Sequence, residues 1–103
     1  MVSDNQFPMK LKDICSFLDT VIPLSFQESY DNCGLQTGDP ESEIISALIS
    51  LDVTEEVIDE AIAIGCGLIV THHPLIFRPL KKLTVDTFVE RVLVKAVKND
   101  IAI

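Results

Sequence analysis

The sequence predicts an α/β fold, a mostly parallel sheet containing a βαβ unit and flanked by helices. Residues 44–53, IISALISLDV, and 67–73, GLIVTHH, are two aliphatic and β-branched runs. They are short enough for strands and apolar enough to be covered on both faces. Between them, EEVIDEAIAIG repeats apolar residues at helical spacing. A strand, a helix and a strand in succession make a parallel unit with a right-handed crossover. The chain is 103 residues long with a hydrophobic fraction of 48%, enough for one core and too short for two comfortable ones. Only 4 glycines and 5 prolines accompany that fraction, which argues against a disordered segment.

The elements follow in order. Residues 1–9 carry no periodic pattern and read as a loose, disordered end, leaving residues 10–103 as the α/β domain. In LKDICSFLDTV, residues 11–21, Leu11, Ile14, Leu18 and Val21 form the stripe of an amphipathic helix, which Pro23 stops. Asp, Asn, Gly and Pro gather between Asp31 and Pro40 and predict a loop. After the first buried strand, Thr54 suits a helix N-cap, and Glu55 and Glu56 favour the positive end of the helix dipole. Val57, Ile58, Ala61, Ile62 and Ile64 would face the core, with Gly65 at the end. Beyond the second strand, Pro74 and Pro79 predict an extended loop. Thr84 or Asp86 would cap a third helix with Phe88, Val92, Leu93, Ala96 and Val97 on its apolar face and Lys95 and Lys98 near its negative end. Finally DIAI, residues 100–103, reads either as the start of a strand in a truncated domain or as a short edge strand.

Sixteen acidic residues against 8 basic ones give a net charge of −8. That balance repels a phosphate backbone and excludes duplex nucleic acid as the expected partner. The cluster Arg78, Lys81 and Lys82 reads as a solvated loop. Cys15, Cys33 and Cys66 are widely spaced and form no CxxC pair, so neither a disulfide framework nor a thiolate zinc site is expected, and a reducing cytoplasm fits. No membrane-length apolar run, signal segment or glycosylation sequon occurs.

Three segments could carry chemistry. His72 and His73, the only histidines, stand together at the end of the second strand and before Pro74. In an open parallel sheet, ligands bind beyond the carboxyl ends of the strands. Adjacent side chains on a regular strand point to opposite faces, so both rings can meet one cleft only where the strand breaks, as Pro74 makes it do. The pair then reads either as two imidazole ligands of a metal or metal pair, or as one packed and one solvated histidine. Asp52 ends the first strand on the same sheet edge and could reach the cleft or simply precede the helix. In YDNCGLQTG, residues 30–38, Asp31, Asn32 and Gln36 offer donors and acceptors on a glycine-bearing loop without any phosphate-binding glycine motif.

Together these segments resemble the Nif-three-like family, also known as GTP cyclohydrolase I type 2 homologs. The resemblance rests on Asp31, Asn32, Gly34, Leu35 and Gly38, then Asp52 and Thr54, then His72, His73, Pro74 and Phe77, and covers residues 10–103 in order. It implies an α/β fold around a dinuclear metal centre, in proteins that assemble as a toroidal hexamer. His72 and His73 match the family's first two metal ligands. The remaining ligands, an aspartate in an HTNxD-type segment and a distal His and Glu, have no counterpart here, so the chain resembles the N-terminal part of a family member. The implied cofactors are two divalent metal ions per subunit, with zinc, manganese, iron and nickel all compatible. The implied activity is a metal-dependent hydrolase acting on a nucleotide or a small phosphorylated or heterocyclic substrate, with Asp31 and Asn32 bordering the cleft. The alternative is a non-catalytic metal-binding scaffold or regulatory oligomer.

Overall fold

The aliphatic run between residues 44 and 53 does not form one strand. The computed structural model describes residues 8–21, 34–76 and 78–103. In it the run is divided between β2 (Glu43–Ile44) and β3 (Ala47–Ser50). β2 pairs antiparallel with β1 (Met9–Lys10), with Met9 opposite Ile44 and Lys10 opposite Glu43. β3 pairs parallel with β4 (Leu68–Thr71), from Ala47 opposite Leu68 to Ser50 opposite Thr71. The crossover between them is α2 (Glu55–Ile64), so the expected βαβ unit is present. Among the described residues there are two further helices, α1 (Leu11–Val21) directly after β1 and α3 (Phe88–Lys98) after the loop that follows the histidines.

The segment 100–103 lies alongside β4. Ala102 bridges Leu68 in parallel, its amide donating to Gly67 O at 2.9 Å, and the Ile69 amide donates to Ala102 O at 2.8 Å. On its other side, the amides of Gln36 and Thr37 donate to Ile103 O, and the Ile103 amide donates to Thr37 O at 3.0 Å. The loop that begins at Gly34 is thereby tied to the sheet. Gly38 is required at this contact: its φ is +134°, and a Cβ there would fall 2.7 Å from the Ala102 Cβ.

Helices cover both faces. On one, Leu11, Ile44, Leu68 and Ala102 are buried together with Ile14, Cys15, Ala47 and Val70 packed against them, so α1 is the lid of that face. On the other, Ile58 and Ala61 of α2 and Val92, Leu93 and Ala96 of α3 pack over Ile69, Ile101 and Ile103. β4 is therefore sandwiched, as its aliphatic sequence requires. β3 is not. Ile49 shares the face of Ala47 but is 79% exposed, and Ile45 and Leu51 are exposed as well. The expectation of a strand covered on both faces fails here because the cover over Ala47 does not extend to Ile49.

Thr54 caps α2 by accepting from the Val57 amide at 3.2 Å, and Gly65 closes it in the left-handed conformation at φ 75°. The N-cap of α3 is Thr87 rather than Thr84 or Asp86. Thr87 and Glu90 bond each other reciprocally at this cap, the Thr87 hydroxyl accepting from the Glu90 amide and donating to the Glu90 carboxylate. Thr84 has a different task, donating through its amide at 2.8 Å and its hydroxyl at 2.6 Å to the buried Glu90 carboxylate. Across the helix pair, Arg91 meets Glu55 at 2.6 Å and Lys95 meets Asp59 at 2.9 Å. Ile64, Phe88 and Val97, expected on buried faces, are exposed. Each has the right helical spacing but lies at the margin of the stripe, past the neighbour that would cover it.

Candidate functional site

The parallel register sets the site. β3 and β4 pair with an offset of 21 residues, Ser50 opposite Thr71, and the ladder is followed past the strand ends by amide hydrogen bonds from His72 to Ser50 O and from His73 to Leu51 O. The same offset carried forward brings Asp52 beside His73. Asp52 Oδ1 and His73 Nδ1 are 2.7 Å apart, a charge-assisted hydrogen-bond length.

Both histidines lie in bends, not in the strand. The alternation that would send their rings to opposite faces no longer applies, and the ring centroids stand 4.7 Å apart with planes inclined at 66°. The backbone around them is pinned on each side. The Thr71 hydroxyl donates to His73 O at 2.8 Å, and the Ser50 hydroxyl donates to Asp52 O at 2.7 Å. Both histidines and Asp52 are exposed, at the carboxyl ends of the parallel pair where α/β ligand sites lie.

The loop of Gln36 reaches the same neighbourhood. Gln36 Oε1 accepts from the Ile76 amide at 3.1 Å, a link across 40 residues. Sequence reasoning named Gln36 only as a polar loop residue, because nothing local signals a contact at that separation. Asp31, Asn32 and Phe77 lie outside the described residues. The structure thus brings together His72, His73 and Asp52, and ties the Gln36 loop to the segment after the histidines.

Among the described residues, no group of three or more His, Cys, Asp or Glu side chains is arranged to hold a metal ion. Two imidazoles are suited to be part of such a site and are too few to complete one. Asp52 does not serve as a third ligand beside His73 in this arrangement. Two ligand atoms on one tetrahedral ion with bonds of about 2.0–2.1 Å would sit roughly 3.3 Å apart, whereas these are in direct contact at 2.7 Å. Of the described cysteines neither contributes: Cys66 is buried, and burial, followed by the Asp19 charge, pushes the Cys15 thiol up and away from a reactive thiolate.

A two-layered cover of helices on a parallel strand pair, with paired histidines at its carboxyl edge, defines an α/β protein of the class whose ligands sit on strand ends. The profile of the Duf34/NIF3 (NGG1p interacting factor 3) family matches residues 9–103, and the chain belongs to that family. It is 46% identical over 93 residues to the GTP cyclohydrolase 1 type 2 homolog of Clostridium perfringens, an alignment covering 90% of this chain and 36% of that protein. Its structure resembles Staphylococcus aureus protein SA1388, with a TM-score of 0.86 and 40% identity, covering 92% of this chain and 27% of that one. It also resembles reduced HcgD from Methanocaldococcus jannaschii, with a TM-score of 0.82 and 35% identity over 93% of this chain and 38% of the other. The chain therefore spans about a third of the length of the curated relatives it matches. No helix among the described residues is long and apolar enough to cross a membrane.

Proposed function

We propose that His72 and His73 are two ligands of a divalent metal centre and that the family-length protein is a metal-dependent hydrolase of a nucleotide or a small phosphorylated or heterocyclic substrate. The observation that carries this reading is the pairing of the two rings, 4.7 Å apart, in bends beyond the carboxyl end of a parallel strand pair. A pair of metal ions is the expected cofactor, zinc, manganese, iron and nickel all suiting imidazole. When bound, such ions supply Lewis acidity and a water acidic enough to ionise near neutral pH.

The chain's own residues then have separate tasks. His72 and His73 present ring nitrogens, and the Gln36 contact to Ile76 ties the segment that begins at Gly34 to the segment after the histidines. Asp31 and Asn32 would border the cleft and orient a polar substrate. Ile45, Ile49 and Leu51 leave apolar surface uncovered beside the site. Such surface supports assembly into a homo-oligomer, a toroidal hexamer by the family resemblance.

Elemental analysis of the purified family-length protein tests the reading. Divalent metal should accompany the wild type and be lost from the His72→Ala/His73→Ala variant. Metal retained in equal amount by the variant, or hydrolytic turnover that survives without metal, overturns it.

A further inference from the structure

We infer that Asp52 is a positioning residue that fixes His73 in the tautomer with the proton on Nδ1, leaving the Nε2 lone pair turned outward as the donor atom. This deepens the metal-centre reading, on which its functional meaning rests, but the contact itself is independent of any metal.

An ionised carboxylate is an acceptor only. At 2.7 Å from Asp52 Oδ1, the Nδ1 of His73 must therefore carry the hydrogen. A neutral ring has one protonated and one free nitrogen, so Nε2 is the free one. The contact is held in place from both ends. The His73 amide is fixed to Leu51 O, the Thr71 hydroxyl to His73 O, and the Ser50 hydroxyl to Asp52 O. The amide bond to Leu51 O continues the register that sets Asp52 beside His73, and a slip of one residue would put Leu51 or Val53 there instead; the two hydroxyl bonds fix the local backbone at each partner.

Stability does not account for this arrangement. The side chains are 48% and 58% exposed, and exposed ion pairs add little to folding. Orientation does account for it, since a carboxylate behind a metal-binding imidazole fixes both the tautomer and the direction of the ring. His72 differs: no side-chain hydrogen bond to its ring is found among the described residues, where its ring meets that of His73 edge-on. Among the described residues the two histidines are thus unequal, His73 alone having a carboxylate partner.

Long-range proton–nitrogen correlation spectra of the metal-free chain at mildly alkaline pH, where imidazole is neutral, read the tautomer of each ring directly. In the wild type His73 should be predominantly the Nδ1–H form. Asp52→Asn, whose amide can donate as well as accept, should move His73 toward the Nε2–H form and leave His72 unchanged. Zinc titration of the same two proteins should show an affinity about 10–100-fold weaker for the variant, with the melting temperature unmoved. A wild-type His73 in the Nε2–H form overturns the proposal, as does a variant whose tautomer and zinc affinity both match the wild type. If the tautomers behave as described and zinc binds neither protein, the positioning stands and the metal-centre reading falls.

Discussion

The α2–α3 layer and the ends of β3 and β4 treat polar groups in opposite ways. Where α2 meets α3, Glu90 is buried and accepts from Thr84 and Thr87, while Arg91 and Lys95 tie Glu55 and Asp59 across the seam. The hydrogen bond to Asp59 raises the Lys95 ammonium above its ordinary range, and the Glu55 charge adds to it. Beneath that seam the packing is closed, with Ile58, Ala61, Val92 and Ala96 fully enclosed. At the strand ends, by contrast, His72, His73 and Asp52 stand in the open around one short contact. The first region uses charge to complete a folded layer. The second holds polar groups in a defined geometry where folding does not require it, which is the ground on which the strand ends are proposed as the site.

The largest effect that separates the two regions is a cavity under the helix pair. Ile58→Ala removes an enclosed side chain between α2, α3 and β4, and should cost about 2–5 kcal/mol of stability. Urea denaturation with an unchanged slope would measure it. A loss below about 1 kcal/mol would mean that the layer collapses onto the gap, and that it is not the rigid support the site depends on.

How much of this was legible in the sequence divides along the same line. The βαβ unit, α1 from Leu11 to Val21 and the Thr54 cap follow from local pattern, because helical period and caps involve residues a few positions apart. The histidine pair at a strand end was legible for the same reason. Coverage was not. Ile49, Ile64, Phe88 and Val97 have the right spacing, and their exposure is decided by how far a distant element extends over them. The cap of α3 was misplaced because Thr84, Asp86 and Thr87 are all competent capping residues. Only the Glu90 side chain, reaching back to both threonines, decides between them. The Asp52–His73 contact needs the β3–β4 register, and an aliphatic strand pair reads nearly the same in several registers.

A smaller effect sharpens the comparison through pH. The hydrogen bond from the Thr84 hydroxyl, then that from its amide, hold the Glu90 carboxyl below the ordinary glutamate range, with burial opposing them and Thr87 and the Asp86 amide assisting. A folded pKa below the unfolded one means that Glu90 contributes its full stability above the ordinary value of about 4.3 and loses it as pH falls through that value toward the folded pKa. Glu90→Gln should therefore melt below the wild type at neutral pH, by less than the Ile58 variant, and the gap should narrow on acidification. Thermal melts across the acidic range check this. A gap that stays constant with pH would assign the effect of Glu90 to packing rather than to its charge.

The smallest expected effect lies at the site itself. His72→Ala/His73→Ala removes two exposed rings and one exposed hydrogen bond to a carboxylate, and such groups contribute between nothing and about 1 kcal/mol when water competes for them. The backbone hydrogen bonds from positions 72 and 73 to Ser50 and Leu51 survive the substitution, since they use amides and not rings. Folding stability should then remain within about 0.5 kcal/mol of the wild type, measured by the same urea titration. A large loss would make the rings part of the fold's support and erase the distinction between the two regions. An unchanged midpoint leaves the pair with no structural task, as the proposed role in binding requires.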